Sequence, residues 1–563
     1  MTSLPRIAFT SLFVLAALGL PAVAKTKAPV AGTTFFPAGA QRGMTSIITL
    51  TSSIDPVNRQ VAIDCPGVQL VSGAKDQVQV AITPDAPLGL HLLHVYNDQG
   101  CSEPRWFSIG TLPEIEEHEP NDSLGEEQFI DSLPVCINGR LGKHGDADLF
   151  AFQLREGETL TASLEAYALG SLVDAFLQLR DDQNNVLATA HDGRNLDPVL
   201  VFKAPRLGRY SLELAGFNHP PAADVAFTGG PAVIYRLHLT TGPATLRLFP
   251  AVVSRTSPNH LDMLGAGSTP IDFDGSRLPP EPLIQLISPP NALGPVQVAV
   301  TDSPVLREVE PNNELGNAMP LAVPGCVAGR IDKPGDVDRF SFQAKKGVSY
   351  TVRLLAKALG LPLDAFLTLT DSTGKELARN DDATDGDDPL LNWKAPADGT
   401  YQVVVTDLFN RGGEAAEYVL TLGPGEETFA ATITSKNVLS IEAGKTVELK
   451  ASLKRIGGFS GSLTARVIGL PPGVIANEVT LTGKTSDIAL TLRAAANTAS
   501  SNGPIQLVLA TTGDKAALLT RTATIDLRGE IRRGTSALDR ADYVWLTVIP
   551  AKPALPPPFS PAK

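Results

Sequence analysis

An internal duplication is the feature that most constrains the fold of this 563-residue chain. The segment Glu117-His-Glu119-Pro-Asn121 recurs as Glu308-Val-Glu310-Pro-Asn312, and further motifs recur in the same order at an offset of 190 or 191 residues. These motifs are Leu133-Pro-Val-Cys136, Gly145-Asp146-Ala-Asp148, Asp174-Ala-Phe-Leu177 and Gly208-Arg-Tyr210, matched by Val323-Pro-Gly-Cys326, Gly335-Asp336-Val-Asp338, Asp364-Ala-Phe-Leu367 and Gly399-Thr-Tyr401. Because order and offset are both preserved, the chain contains two copies of one domain.

The residue pattern within each copy predicts β-strands. Phe150 and Phe152 are two residues apart, as are Phe340 and Phe342, so each pair should face one side of a strand and enter a core. The chain also contains 49 glycines and 45 prolines, which favours many short strands and turns over long helices. We therefore predict an all-β fold, a multidomain chain of β-sandwich or jelly-roll modules, with one helical turn at 355–360.

The ordered motifs Glu-x-Glu-Pro-Asn, Gly-Asp-x-Asp-x-Phe, Asp-Ala-Phe-Leu and Gly-x-Tyr resemble those of the bacterial pre-peptidase C-terminal domain. That family is similar to the collagen-binding domains of secreted clostridial collagenases. The resemblance covers about 116–242 and 306–424. It implies β-sandwich accessory modules that often bind calcium and are usually attached to secreted hydrolases. The collagen-contacting tyrosines of the collagenase domains have no residue-by-residue match in this chain.

The segments around the two copies are also predicted to be β modules. The stretch that contains Pro37–Gly43 resembles the small Ig-like modules that precede such domains in planctomycete secreted proteins, and a shorter, degenerate copy follows the first repeat. Beyond residue 425, Arg455–Gly461 and the next Gly-Leu-Pro-Pro-Gly turn resemble bacterial Ig-like sandwich domains. The predicted division is a signal peptide (1–24), an Ig-like β module (25–113), a first β-sandwich (114–243), a short β module (244–305), a second β-sandwich (306–424), an Ig-like β-sandwich (425–548) and a Pro-rich tail (549–563).

The N-terminus predicts export. Arg6 precedes an apolar run, 7–20, that is too short for a comfortable membrane span, and Ala22-Val-Ala24 provides a small-x-small cleavage pattern. An uncleaved anchor is the alternative. No later segment of the sequence is apolar over the roughly 18 residues that a span needs. We therefore expect a secreted protein (periplasmic, extracellular or at the cell surface) with no integral membrane segment after signal cleavage.

The charge of the chain limits its partners. The formal net charge is −13, so the chain is a poor ligand for polyanions, and we expect no nucleic acid partner. An extracellular protein or polysaccharide ligand is compatible with this charge. The acidic loops instead point to a hard cation.

Four cysteines are too few for a disulfide scaffold in a chain of this length. Cys65 and Cys101 fall in one predicted module and could pair in an oxidising compartment. Cys136 and Cys326 occupy equivalent positions in the two copies. We expect each of them to stay reduced and to pack as a small buried apolar residue.

Sequence motifs typical of catalysis are missing. The sequence has no H-E-x-x-H, no G-x-S-x-G, no phosphate loop and no Gly-rich dinucleotide turn. Trp393 aligns with Phe202 of the other copy, so we expect it in a core rather than in a ligand platform. The sequence therefore predicts a protein without enzymatic activity.

Acidic and amide residues form the strongest candidate site. They alternate along an extended segment in each copy, so their side chains share a face, and a pair of aspartates follows a glycine turn at the start of the first phenylalanine strand. If the two segments meet, their carboxylates repel unless a cation neutralises them, and Ca²⁺ takes about six to eight oxygen ligands. We predict calcium ligands in both copies: Glu117, Glu119, Asn121, Asp122, Asp146 and Asp148, and then Glu308, Glu310, Asn312, Asp336 and Asp338.

Two further acidic features belong to this interpretation. Asn313 replaces Asp122 in the second copy, which should weaken that site if the side chain is a ligand. The stretch Asp381–Asp388 contains five aspartates but lacks the spacing of an EF-hand loop, so we expect a solvated loop. The alternative to calcium in both copies is a solvated acidic linker followed by a turn-forming Gly-Asp.

Three functional hypotheses follow from the sequence. The first is a secreted, non-catalytic, calcium-stabilised protein that acts as an extracellular binding, adhesion or display module. The second is an accessory or propeptide-like component that works with a secreted peptidase or another hydrolase. The third is a hydrolase without a recognisable motif, which would need a concave site with convergent polar groups.

Overall fold

The computed structural model describes residues 33–551, apart from 53, 56–57, 73–75, 219–225, 268, 280–282, 384–387, 426, 484, 513–518 and 528–539. The predicted signal peptide and nearly all of the Pro-rich tail lie outside the described residues. The described residues form β-strands and two short 3₁₀ turns, and none of them is α-helical. The chain is a series of packed β-sheets, which confirms the all-β, multidomain prediction.

Two four-stranded sheets form the first module (residues 33–112). Its strands are β1 (Thr34–Phe36), β2 (Gly39–Gln41), β3 (Thr45–Thr51), β4 (Gln60–Ile63), β5 (Val68–Ser72), β6 (Gln77–Ile82), β7 (Gly89–Tyr96) and β8 (Arg105–Gly110). The strand orders are β1-β3-β6-β5 and β2-β8-β7-β4. The alternation of apolar and polar residues decides which face of each sheet is buried: in β6 the valines are buried and the glutamines are exposed.

The first repeat (residues 114–240) is a two-sheet sandwich. Its strands are β9 (Glu114–Glu116), β10 (Gln128–Phe129), β11 (Val135–Arg140), β12 (Asp148–Leu154), β13 (Thr159–Glu165), β14 (Val173–Asp181), β15 (Val186–Ala190), β16 (Asp192–Arg194), β17 (Asp197–Lys203), β18 (Gly208–Asn218) and β19 (Ile234–Thr240). The five-stranded sheet has the order β10-β12-β18-β14-β15, and the six-stranded sheet has the order β16-β17-β13-β19-β11-β9.

The second module (residues 244–303) is smaller. Its strands are β20 (Arg247–Phe249), β21 (Val252–Ser254), β22 (Asn259–Leu264), β23 (Ile271–Phe273), β24 (Ile284–Ile287) and β25 (Val296–Thr301), with a 3₁₀ turn at Gly275–Arg277. They form two three-stranded sheets, β20-β22-β23 and β21-β25-β24. As in the first module, the first strand pairs antiparallel and the second strand pairs in parallel with a later strand.

The second repeat (residues 305–424) has the strand order of the first, without a counterpart of the edge strand β16 among its described residues. Its strands are β26 (Val305–Arg307), β27 (Met319–Pro320), β28 (Gly325–Arg330), β29 (Asp338–Ala344), β30 (Ser349–Leu355), β31 (Ala365–Asp371), β32 (Glu376–Asn380), β33 (Leu390–Lys394), β34 (Gly399–Asp407) and β35 (Glu417–Pro424). They form the sheets β27-β29-β34-β31-β32 and β26-β28-β35-β30-β33. The duplication in sequence is therefore a duplication of topology.

The last module (residues 428–549) contains two larger sheets. Its strands are β36 (Thr428–Ile433), β37 (Val438–Glu442), β38 (Thr446–Ile456), β39 (Leu463–Ile468), β40 (Val474–Ala476), β41 (Val479–Leu481), β42 (Asp487–Ala494), β43 (Ser501–Thr511), β44 (Thr520–Thr522), β45 (Ile525–Asp526), β46 (Arg540–Ala541) and β47 (Val544–Ile549). One sheet runs β36-β38-β42-β40, and the other contains β37-β47-β43-β39-β41.

The phenylalanine pairs lie in the cores, as the period-two pattern predicted. Phe150 and Phe340 are fully buried, and Phe152 and Phe342 are at most 2% exposed. Trp393 and Phe202 pack against the cores of their repeats, which confirms their expected placement. The predicted helical turn is a 3₁₀ turn at Lys357–Leu359, which ends at Gly360 with a positive φ of 74°.

All four cysteines are free thiols in the structure. The possible disulfide between Cys65 and Cys101 is therefore not formed. Each of these two sulfurs instead lies near a neighbouring backbone carbonyl, that of Pro66 or Ser102. Cys136 and Cys326 are buried and reduced, as expected, at about 1% exposure or less.

An ionic network joins the first repeat to the first module. Arg236 on β19 is completely buried, and its guanidinium donates to Glu114 Oε1 at 2.7 Å and to Asn138 Oδ1 at 2.9 Å. Glu165 Oε2 lies 3.6 Å from Arg236 Nε and accepts from Ser108 Oγ of the first module at 2.9 Å. Burial raises the pKa of Glu165, but His238 and Arg236 outweigh it and lower that pKa to about 2.

The second repeat has apolar residues at the same sheet positions. Register pairing puts Val419 where the first repeat has Arg236, and Val305 and Leu355 where it has Glu114 and Glu165. The core cluster of the second repeat includes Val419 and Leu355 together with Ala251, Val252 and Ala299 of the second module. The two joints between module and repeat therefore use different chemistry at one topological position.

We predict that Arg236→Met destabilises the first repeat by about 3–5 kcal/mol, because it removes the guanidinium that pairs with Glu114 and lies beside Glu165. Urea unfolding of the full chain measures this loss in the free energy of unfolding, and calorimetry provides a second measurement. The control is Arg209→Met, which breaks the more exposed pair with Glu127 and should cost less than about 1 kcal/mol.

A quadruple variant sharpens this test. Glu114→Val, Glu165→Leu, Arg236→Val and His238→Thr together copy the residues of the second repeat, where Thr421 stands at the His238 position, so they should recover most of the stability that Arg236→Met loses. An Arg236→Met protein as stable as the parent would show that the network does not hold this joint.

Candidate metal centres

The two predicted acidic segments of each repeat meet in the structure. The segment after β9 hydrogen-bonds to the sandwich, since Glu117 N donates to Asn138 O at 2.9 Å and Leu149 N donates to Asn121 O at 2.9 Å. These backbone bonds bring the Glu-x-Glu-Pro-Asn segment against the start of β12, where Asp148 lies. In the second repeat, Glu308 N donates to Ala328 O in the same way.

The first acidic cluster combines exposed and buried carboxylates. Ligand atoms of Glu119, Asp122, Asp146 and Asp148 all lie within 4.8 Å of one another. Asp146 and Asp148 are completely buried, as is Asn121 beside them. Among the described residues, one oxygen of each of the three aspartates, and both polar side-chain atoms of Asn121, have no hydrogen-bond partner. A set of unpartnered buried oxygens is the donor set that a hard cation takes.

Lysine provides part of the compensating charge in the first cluster. Lys143 Nζ contacts Asp122 Oδ2 and lies 3.6 Å from Asp146 Oδ1. The lysine side chain is 58% exposed, so this pair is on the solvent side of the cluster. Asp148, on the inner side, has no lysine or arginine among its described partners.

Glu117 is not a member of the group of four. Its carboxylate accepts from Arg140 N at 2.5 Å and from Tyr235 Oη at 3.3 Å. The predicted ligand Glu117 thus lies beside the cluster, whereas its counterpart Glu308 belongs to a group with Glu310 and Asp338.

Two tyrosines in these centres were missed by the sequence analysis. Tyr235 Oη donates to Asp148 Oδ2 at 2.5 Å, and Tyr418 Oη donates to Asp338 Oδ2 at 2.6 Å. Each tyrosine comes from the sheet opposite its aspartate, so the bond crosses the sandwich. The signal in the sequence was a Tyr at position 235 that recurs at position 418, 183 residues later rather than 190, and the changed offset concealed it.

The second cluster contains an acid that was not predicted. Glu310, Asp332 and Asp336 have ligand atoms within 4.8 Å of one another, and Glu310 also belongs to the group with Glu308 and Asp338. Asp332 occupies the place of Gly142 in the first repeat, since each donates its backbone N–H to the following aspartate, Asp336 or Asp146. Sequence comparison noted only the loss of an acid at position 313.

Amides complete the second cluster. Asn313 Nδ2 donates to Asp336 Oδ1 at 3.1 Å, and Asn312 Nδ2 donates to Glu308 Oε1 at 2.5 Å. Asn312 Oδ1, Asn313 Oδ1 and Asp338 Oδ1 are buried and have no hydrogen-bond partner among the described residues. The second repeat therefore also presents unpartnered oxygens to its cluster.

Burial and neighbouring carboxylates disfavour the ionised form of the buried aspartate in each centre. Burial, and then the neighbouring Glu117, raise the pKa of Asp148 well above its usual range. Burial and Glu308 raise the pKa of Asp338 in the same way. The Lys143 hydrogen bond lowers the pKa of Asp122, on the solvent side. A cation on the inner side would favour the ionised form of both buried aspartates.

The Asp381–Asp388 stretch differs from its prediction. Residues 384–387 lie outside the described part, but Asp388 is 7% exposed and accepts from the backbone N–H groups of Ala356, Lys357 and Ala358. Asp197 does the same in the first repeat. The expectation of a solvated loop is wrong for Asp388, because its carboxylate satisfies the backbone of a tight turn.

Residues 336–407 match the model of the bacterial pre-peptidase C-terminal domain family. This stretch contains Asp336 and Asp338 and extends to the end of β34 at Asp407. It is a domain of that family, which confirms the resemblance for the second repeat.

A relative of the chain carries a similar segment. The chain is 42% identical over 114 residues to a probable subtilase-type serine protease of Deinococcus radiodurans. The match covers 20% of this chain and 15% of the protease, so the chain spans a small part of that relative.

Solved structures give weaker likenesses. The pre-peptidase C-terminal domain of collagenase from Bacillus anthracis aligns at 15% identity with 20% of this chain and 99% of its own, with a TM-score of 0.17. A D1–D4 ectodomain fragment of ICAM-5 aligns at 12% identity with 87% of this chain and 98% of its own, with a TM-score of 0.13. Among the described residues, no helix is long and apolar enough to span a membrane.

We predict that Asp148→Asn raises the melting temperature in the presence of a chelator at pH 8. The pKa of Asp148 is raised from its usual 3.8 to about 9 in the folded state, so its burial costs stability that grows as the pH rises between these two values and then levels off. The gain should be roughly 2–8 °C, and it should disappear below about pH 4, where Asp148 is protonated in both the folded and the unfolded protein. Calorimetry in EGTA measures both values.

The matched control is Asp398→Asn, a 66% exposed aspartate of the second repeat, which should leave the melting temperature unchanged. A lower melting temperature for Asp148→Asn in EGTA at pH 8 would contradict the assignment of excess negative charge to this position.

Proposed function

We propose that this protein is a secreted, non-catalytic, multidomain binding protein whose two repeats are each stabilised by a calcium ion. The observation that carries the proposal is the duplicated cluster of carboxylates around a completely buried aspartate, Asp148 or Asp338, with oxygens that have no partner among the described residues. The identification of residues 336–407 as a pre-peptidase C-terminal domain supports a non-catalytic role for that repeat.

Calcium fits the donor set better than other common cations. Every candidate ligand is a carboxylate or amide oxygen, which excludes the sulfur and imidazole preference of zinc. The groups come from two or three separate segments and include exposed side chains such as Glu119 and Glu310. Such a flexible set suits the large, variable coordination shell of Ca²⁺, whereas Mg²⁺ demands a tight octahedron and keeps its waters.

The proposed ions would stabilise the joints of the chain. Each acidic segment, 117–122 or 308–313, directly follows the strand that enters the repeat from the module before it. An ion bound between this segment and the Asp146 or Asp336 loop would hold the entry of the chain against the sandwich. The repeats would then keep neighbouring modules in a defined arrangement for an extracellular ligand.

Both sites should bind with comparable strength. The sequence comparison predicts a weaker second site because Asn313 replaces Asp122. The second repeat has an additional acid, Asp332, near Glu310 and Asp336, so its number of nearby carboxylates equals that of the first. The first cluster also contains Lys143, which repels a cation.

We predict two calcium ions per chain by isothermal titration calorimetry. Asp146→Asn and Asp336→Asn should each remove one, because each side chain supplies a buried cluster oxygen. At free calcium one hundred times the dissociation constant, each ion should stabilise its repeat by about 2.7 kcal/mol, and magnesium should substitute poorly.

The matched control is Asp182→Asn, which changes an exposed aspartate of the first repeat that pairs with Arg206. It should leave both binding events intact. No heat at millimolar calcium, together with a melting curve that EGTA does not move, would refute the calcium proposal.

A second candidate role is that of an accessory component of a secreted peptidase. The 42% identical segment of a probable subtilase-type protease favours it. We expect the tagged full chain, purified from the secreted fraction of its native host, to carry a peptidase identifiable by mass spectrometry. Recovery with a polysaccharide or with a protein that is not a peptidase would favour the binding role instead.

A further inference from the structure

The first and last modules of the chain are in contact. Tyr543 Oη of the last module lies 3.0 Å from His94 Nε2 of the first, and Asn502 Nδ2 donates to Asn97 O at 2.9 Å. Leu92 of β7 belongs to the core cluster of the last module, and Trp106 of β8 packs against it. This interface, which we call the clasp, joins residues more than 400 positions apart.

His94 lies at the centre of the clasp. It is 2% exposed, and its ring stacks on Trp545 with 4.3 Å between ring centroids. Its other nitrogen, Nδ1, lies 3.7 Å from Cys101 Sγ. Both ring nitrogens are therefore occupied by neutral groups, a phenol on one side and a thiol on the other.

The carboxylates around the clasp interact with Tyr543, Cys101 and His91 rather than with His94. Asp64 Oδ2 accepts from Tyr543 Oη at 3.4 Å, and its other oxygen lies 3.9 Å from His91. The charge of Glu103 helps to raise the pKa of Cys101, and the charge of Asp542 helps to raise the pKa of Tyr543. Among the described residues, no carboxylate is hydrogen-bonded to His94, so a proton on this ring would have no anionic partner.

We propose that the clasp is an acid-sensitive lock in which His94 is the proton sensor, so that acidification separates the last module from the first. A protonated imidazole is disfavoured here because the site is closed to water and its hydrogen-bond partners are neutral. Separation returns His94 to solvent, where the cation is hydrated.

The direction of the effect follows from linkage. Burial lowers the pKa of His94 from its usual 6.5 to about 4. The closed form therefore binds fewer protons than the open form between these values, and closure weakens as the pH falls below 6.5. Across this window the ratio of open to closed protein should rise by about two orders of magnitude.

The lock is independent of the proposed calcium centres. The clasp groups lie on the first and last modules, whereas the acidic clusters lie within the two repeats. Opening would expose the faces of Trp545 and Leu92, which are 6% and 3% exposed in the closed form. Opening would also remove the contact between the first and last modules, so that these two would be linked only through the modules and repeats between them.

Tryptophan fluorescence of the full chain tests the proposal. The chain has three tryptophans, and Trp393→Phe removes the one in the second repeat, so the remaining signal comes from Trp106 and Trp545 in or beside the clasp. In this background we expect a red shift of emission as the pH falls from 7 to 4, with a midpoint between 4 and 6.5. Small-angle scattering should show an increase in radius of gyration over the same range.

Two variants assign the effect to His94. His94→Phe keeps a ring on Trp545 but removes the titrating group, so the clasp should stay closed at pH 4.5. His91→Gln removes the neighbouring histidine, which pairs with Asp64, and should open as the parent does. Trp545→Ala provides the open reference in the scattering experiment at pH 7.

Several outcomes would overturn the proposal. One is unchanged emission and radius of gyration in the parent down to pH 4, a result that does not depend on whether any His94 variant folds. Another is His94→Phe opening with the parental midpoint. The titrations are run in saturating calcium and in EGTA, because an acid response present in only one of them would come from the acidic clusters. Failure of calcium binding leaves the clasp result unaffected.

Discussion

A buried carboxylate at the start of a core strand is the constraint around which each repeat is organised. Asp148 and Asp338 begin β12 and β29, two residues before a phenylalanine that fills the core, so the strand register that buries the phenylalanine also buries the aspartate. One oxygen is satisfied by a tyrosine from the opposite sheet. The other is buried and has no hydrogen-bond partner among the described residues. The entry strand, the Gly-Asp loop and the tyrosine are therefore arranged around a group that is costly to bury as an ion unless a cation compensates it.

The contacts between modules differ in chemistry, and so do the conditions that weaken them. The joint before the first repeat depends on Arg236 and its buried carboxylates, so the loss of one partner leaves a buried charge unpaired. The joint before the second repeat is an apolar continuation of its core at the corresponding position, with the ion pairs Arg247–Glu417 and Arg307–Asp262 beside it. The clasp combines apolar packing with a neutral hydrogen-bond chain through His94 and Tyr543. Interfaces within a chain commonly allow relative movement, and here the three interfaces would respond to different changes in solution.

The two repeats share a topology but differ in the residues of their acidic clusters and of one sheet face. The second repeat loses an acid at Asn313 and gains one at Asp332, while the first keeps Lys143 bound to Asp122. The outer sheet face carries Arg236 in one copy and Val419 in the other. Both repeats keep the buried Asp–Tyr hydrogen bond between their sheets, whereas the residues around it differ. The sandwich therefore tolerates substitutions in the acidic cluster and on the sheet face next to the preceding module more readily than at this bond.

The sequence by itself determined the duplication, the all-β class, the buried phenylalanines and the carboxylates that gather at each entry. These depend on local order and period-two alternation, which a sequence displays directly. Only the tertiary structure decided that Asp388 caps a turn, that Tyr235 and Tyr418 reach the buried aspartates, that Asp332 replaces a missing acid, and that Cys65 and Cys101 stay apart. It also decided that His94 meets Tyr543. The physical reason is that these contacts join residues from different sheets or modules, and hydrogen-bond partners across such distances depend on how whole sheets pack, which alternation along one strand does not record.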